Sequence, residues 1–188
     1  MDAREFFLIH HDHVHSQVAR ELLQGLSDEQ MRLRPNGLNS VAWLVWHMAR
    51  CEDAINVLVA SRPQVLDQNG WLTRLNVSLR DVGTGMTDEE VSDLSARLDL
   101  GALRDYYHAV GRRIVEVVKS LRPQELKESP DLHRLRAQGV FRESAMWAIS
   151  EREDQTKGWW LGHLGIGHNQ MHRGQALTLR GLQGIHNR

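Results

Sequence analysis

Two histidines four residues apart, His168 and His172 in HNQMHRGQ, stand in a stretch from His163 to Gly181 whose apolar residues recur at helical spacing. On an α-helix positions i and i+4 lie one above the other, so both imidazoles can point at one atom. Leu161, Leu164, Gln175 and Leu179 fall on or beside the same face, which turns the pair towards a core rather than water. A buried pair of neutral imidazoles needs a partner for each ring nitrogen, and a divalent metal is one partner that satisfies both. Two ligands do not hold a metal, so a third donor has to come from elsewhere. His47 supplies it: in VAWLVWHMARCEDAINVLVA it shares an inner face with Leu44, Cys51, Ala54 or Ile55, and Leu58, a polar ring in an apolar stripe. Taken singly, a core histidine is more often a hydrogen-bonded structural group; set against H-x-x-x-H on another core helix, it points to metal. Three neutral imidazoles leave a zinc-like ion an open position, as catalytic sites have. A thiol or water bound there is acidified, which gives a nucleophile for transfer or for hydrolysis. Zinc is the first expectation for the divalent metal, with nickel or iron also suited to histidine donors.

Other residues compete for supporting roles. Gln175 lies on the face that could bond a ligand or substrate, or is simply a polar residue near the end of the helix. Cys51, one turn beyond His47, reads first as a small buried hydrophobe. Trp71 is the expected pocket wall, because it sits in a long connection. In the first helix, IHHDHVHSQ places His10 and His11 near the inward face; His11 is either a hydrogen-bonded core residue or a spare ligand and substrate contact. Arg173 points away from the metal face and suits a structural ion pair.

Four long helices must position these groups, and the pattern predicts an all-α chain. Phe7, His11, Val14, Val18 and Leu22 mark the first, over Ala3 to Leu26; Val41 to Ala60 is the second, capped by Asn39 or Ser40. Leu103, Tyr107, Val110, Ile114, Val117 and Leu121 are the seam of the third, stopped by Pro123. The fourth runs from about Thr156 to Gly181 or Gly184, with Gly162, Gly165, Gly167 and Gly174 as unusual interior glycines that imply close packing or a break. Ser27 to Ser40 and Lys127 to Gly139 read as connections, the latter exposed. Ser61 to Met86 reads as a long crossover that roofs a pocket. Thr87 and Glu90 form a capping box for a short helix over Asp88 to Leu98, and Phe141 to Ile149 suggests another. The architecture expected is a four-helix bundle with a long crossover between helices two and three and short accessory helices, in one domain over residues 1–188.

Composition narrows the partners. Lys plus Arg is 23 against 24 for Asp plus Glu, which leaves no electrostatic footprint for nucleic acid or an anionic membrane. The longest apolar run, Val41 to Trp46, is far too short to span a bilayer, and MDAREFF lacks the pattern of a signal peptide. A lone cysteine suits a reducing compartment, so a cytoplasmic protein with a small-molecule substrate is expected.

Three segments, RPNGLNSVAWLVWHMARCED, DVGTGMT from Asp81 to Thr87, and HNQMHRGQ from His168 to Gln175, resemble the DinB-like (damage-inducible, YfiT-like) four-helix-bundle metalloenzymes. The resemblance implies a divalent metal on His47, His168 and His172. It also implies, through characterised members that are thiol-dependent S-transferases or a mycothiol-dependent isomerase, a low-molecular-weight thiol as co-substrate. Members commonly pack as dimers, so a homodimer is implied as well. The readings that stand beside a thiol transferase are a metal-dependent hydrolase and a non-catalytic metal- or ligand-binding module.

Overall fold

The structure, a computed structural model, describes residues 1–185. Among them every regular element is helical and no strand occurs. Helix α1 spans Ala3–Val18 and continues through a wider π-helical turn, Ala19–Leu23. Asp2 starts it, its carboxylate accepting from the Arg4 and Glu5 amides while the Glu5 side chain returns to the Asp2 amide. Phe7, His11, Val14 and Val18 are buried, as their spacing requires.

Helix α2, Val41–Ala60, is the centre of the molecule: every residue from Val41 to Val59 is buried. A helix buried all round needs partners for its polar groups, and each of its charged residues has them. Arg50 Nη1 donates to Asp53 Oδ2 at 3.2 Å and to the Tyr106 hydroxyl at 3.0 Å, and Nη2 donates to Gln64 Oε1 at 2.8 Å and to the Arg80 carbonyl. Asp53 accepts from the Val65 and Leu66 amides at 2.7 and 3.0 Å and from the Tyr106 hydroxyl at 2.6 Å. The network fastens both the start and the end of the crossover to α2.

Helix α3, Asp88–Arg97, carries the Thr87 and Glu90 capping box, and α4, Leu100–Ser120, buries Leu103, Tyr106, Tyr107, Val110, Ile114 and Val117. The last helical run begins at Thr156, whose hydroxyl accepts from the Trp159 amide, and comprises α5, Lys157–Gly162, a π-helical segment His163–Gly167, and α6, His168–Leu182. The glycines therefore mark a change of winding, not an end. Helix α2 packs against α4, α5 and α6, and α1 packs against α4, α6 and the π-helical segment.

Connections hold more structure than their sequences suggest. Ser27 to Ser40 contains a helical turn, Asp28–Arg32, with a Ser27 and Gln30 capping box and Met31 buried. The crossover folds into a 3-10 turn, Val65–Asp67, and a short helix, Trp71–Arg74. The stretch expected as an exposed loop, Lys127 to Gly139, includes the helix His133–Ala137, anchored by a buried Leu135. One buried residue in a stretch dominated by polar and charged side chains leaves no period to read. Phe141 to Ile149 divides into a 3-10 turn, Glu143–Ala145, and a helix, Trp147–Ser150.

Gly165 shows why a costly residue stays inside a helix. A Cβ there would lie 2.8 Å from the Phe7 ring, so the glycine lets α1 approach the π-helical segment. At Gly174 a Cβ would meet nothing within 4 Å. The two alanine variants should therefore differ in sign. Gly165→Ala overpacks by about 1–3 kcal/mol, against a helix-propensity gain of about 1 kcal/mol, and should lower the urea midpoint; Gly174→Ala should raise it. Equal shifts in the same direction would contradict this packing.

Candidate metal centre

His47, His168 and His172 converge. Each offers a ring nitrogen within 4.8 Å of those of the other two, and the ring centroids are 4.9 Å apart for His47 and His168, 4.8 Å for His47 and His172, and 4.3 Å for His168 and His172. Helix α2 carries the first and α6 the other two, one turn apart on one face.

Outer partners decide which nitrogens face inward. The Nδ1–H of His47 donates to the Val82 carbonyl at 2.5 Å, and that of His172 donates to Gln175 Oε1 at 2.7 Å. Both rings are thereby fixed as tautomers with a bare Nε2. His172 Nε2 and His168 Nε2 face each other at 3.1 Å, and His168 Nδ1 is buried without a partner. Facing nitrogen lone pairs repel unless a proton or a cation lies between them. Burial, then the proximity of His172, lowers the His47 pKa to about 3 despite the Val82 bond, which favours the charged form. Burial, then His47 and His172, holds His168 well below the ordinary histidine range, and burial also lowers His172. Neutral imidazoles with convergent nitrogens, two of them held bare by their outer partners, are the donor set that a divalent cation such as zinc requires, so the residues fit a metal.

The DVGTGMT turn serves His47. Gly83, at φ 87°, has a backbone in the left-handed region, and a Cβ there would lie 2.5 Å from the Trp46 ring. Only glycine lets the turn pass close enough to set the Val82 carbonyl on His47. Asp81 Oδ1 accepts the Gly83 amide at 2.7 Å and is held by Arg142 at 3.3 Å through its other oxygen. Trp43 stacks on the His47 ring, centroids 4.8 Å apart.

A cavity of about 410 Å³ opens on the three histidines, with Phe141, Trp147, Trp160, Leu164 and Met171 as apolar walls and Cys51, Thr84, Arg152 and His163 among its polar lining. Cys51 Sγ lies 3.8 Å from His47 Nδ1, and burial pushes its pKa up to about 12, so it remains a thiol.

Two expected contacts lie elsewhere. His11 does not reach the centre: its Nε2 bonds Glu52 Oε1 at 2.8 Å, because the α1 face that carries it meets a different side of α2 from the one bearing His47. Trp71 is no wall of this cavity; it packs against Tyr106, with the Arg74 guanidinium 3.9 Å above its ring. Gln175 does bond a site histidine, and Arg173 pairs with Glu21 at 2.6 Å. Sequence reasoning missed the Val82 carbonyl and the Trp147 to Arg152 wall. It also missed the buried set formed by Glu52, His11, His15 and Asn169, in which Glu52 accepts from His15 Nε2 at 2.9 Å and Asn169 Nδ2 at 2.7 Å. Burial alone would raise the Glu52 pKa, but His15 and His11 outweigh it and hold the carboxyl below its usual range. His11, His15 and Glu52 also cluster within 4.8 Å, yet their Nε2 atoms are already spent on the carboxylate, unlike those of the first set. A charged Glu52 on a face otherwise apolar, and Asn169 beside His168, were the available signals.

The model of the DinB superfamily matches residues 11–176. A crystal structure described as the conserved protein of a locus from Enterococcus faecalis is similar in fold, with a TM-score of 0.72 at 19% identity over 97% of each chain. No curated protein matches.

The lowered pKa values carry a sign. Below about pH 6.5 the unfolded histidines take up protons that the folded, metal-free centre refuses, so stability falls by up to about 1.4 kcal/mol per pH unit for each such group. Urea unfolding of metal-free protein between about pH 7 and about pH 5 should show this decline, and His168→Asn should flatten it. An unchanged slope in the variant would contradict the assignment.

Proposed function

The chain belongs to the DinB superfamily, and from that premise we propose that it is a metal-dependent transferase that adds a low-molecular-weight thiol to an electrophilic small molecule. The observation that carries the reading is the convergence of one ring nitrogen from each of His47, His168 and His172 beside a largely apolar cavity. Zinc is the divalent ion we favour, held by those histidines; when bound it supplies Lewis acidity that favours the thiolate at neutral pH. The protein's own residues do the rest. Val82 and Gln175 orient two of the rings, and the aromatic walls exclude water from the reacting thiol. Cys51, kept protonated by burial, is not the nucleophile, which supports an external thiol. The mutual packing of α1, α2, α4 and the last helical run supports a four-helix bundle with its crossover between the second and third long helices, in one domain. We place it in the cytoplasm, where small thiols are kept reduced, and infer a homodimer from the resemblance alone.

Protein prepared without a histidine tag should retain one divalent ion per chain after dialysis, and His172→Ala should retain none. Gln175→Ala should weaken metal affinity roughly 10–100-fold. With metal loaded, a panel of small thiols and a chromogenic electrophile should give conjugates at a rate that His172→Ala loses. Absence of conjugate with every thiol, or product formed equally well without thiol, would overturn the transferase reading, the latter in favour of hydrolysis.

A further inference from the structure

We propose that the cavity beside the three histidines takes an organic anion, an apolar body about the size of an aromatic ring bearing a carboxylate, and that Arg152 grips the carboxylate. The inference rests on reading the cavity as the substrate pocket and adds the class of molecule it selects. Phe141, Trp147 and Trp160 offer flat apolar faces suited to a ring. Against them stands one permanent charge: among the described residues Arg152 is the only Lys, Arg, Asp or Glu in the lining. Its Nη1 donates to the Ala148 carbonyl at 2.9 Å, which tethers the guanidinium, and the same Nη1 makes a long ion pair with Glu151 Oε2 at 3.7 Å, a carboxylate that is mostly exposed and leaves the other edge open. Among the described residues no protein acceptor meets its Nε or Nη2. By contrast, Arg142 and Arg173 are each closed by carboxylates. Apart from Cys51 and the three converging histidines, the lining group that could carry charge is His163, which is stacked on Trp159 and has its pKa lowered by burial and then by Arg152. A guanidinium with a free edge on an apolar cavity is a carboxylate receptor, because its parallel N–H donors match the two oxygens.

The test is a titration of zinc-loaded full-length protein, read by tryptophan fluorescence, with 3-phenylpropionate and with 3-phenylpropanol, which keeps the body and removes the charge. We expect the acid to bind at least tenfold more tightly than the alcohol. Arg152→Gln should bring the acid down to the level of the alcohol and leave the alcohol unchanged, while Arg152→Lys retains part of the preference. Equal binding of the two probes, binding of neither, or an acid preference that survives Arg152→Gln would overturn the proposal. Repeating the titration on metal-free His172→Ala separates the two readings. An Arg152-dependent preference there stands without the metal. A preference lost with the metal and indifferent to Arg152 places the carboxylate on the ion and sinks this inference alone.

Discussion

Bringing ring nitrogens from distant parts of the chain to one point is the constraint that the surrounding structure must meet. The rings have centroids under 5 Å apart, yet the one direct bond among them is His168 Nε2 to His172 Nε2 at 3.1 Å, so their mutual contacts alone do not hold all three together. They stay in place because each element that bears them is held by interactions away from the centre. The tautomers of His47 and His172 are fixed by acceptors on their far nitrogens, so the donor face is prepared before any ion arrives.

Helix α2 meets that requirement through its polar residues. Arg50 and Asp53 tie it to the crossover and to Tyr106 on α4, while Glu52 ties it to α1 through His11 and His15 and to α6 through Asn169. These groups are costly to bury unless fully paired, and removing one partner of such a set commonly costs about 3–5 kcal/mol. Their value is register: Asn169 adjoins His168, so its bond to Glu52 fixes the turn of α6 that faces His47. The crossover, fastened at both ends by the Arg50 and Asp53 network, delivers the Val82 carbonyl from the other side. Two separate buried polar networks on α2 thus aim histidines carried by helices far apart in sequence.

Much of this was legible in residue order. The stripe and cap of α2 gave its extent to within a residue, since Ser40 punctuates its start, while the regular seam of α4 gave its inner face and Pro123 its end to within about two residues, its start at Leu100 and its cap Asp99 going unread. Convergence of His47 with His168 and His172 followed from polar rings in apolar faces. Helical angle, however, tells which face a residue occupies and not which neighbour that face meets. His11 lies inward as expected and meets Glu52, which sits well round α2 from His47. Trp71 occupies the crossover as expected but turns to Tyr106, because the part that reaches the centre is the later turn at Val82 and Gly83. Helices of five residues, such as Asp28–Arg32 and His133–Ala137, rest on single buried anchors, Met31 and Leu135, and carry no readable period.

X-ray absorption spectroscopy on zinc-loaded, tag-free protein tests the central claim most directly. Three imidazole nitrogens bound to one ion predict nitrogen scatterers at about 2.0–2.1 Å, with the outer-ring scattering of three histidines, reduced to two in His47→Ala. A spectrum dominated by water oxygens, or one unchanged by that substitution, would contradict the account.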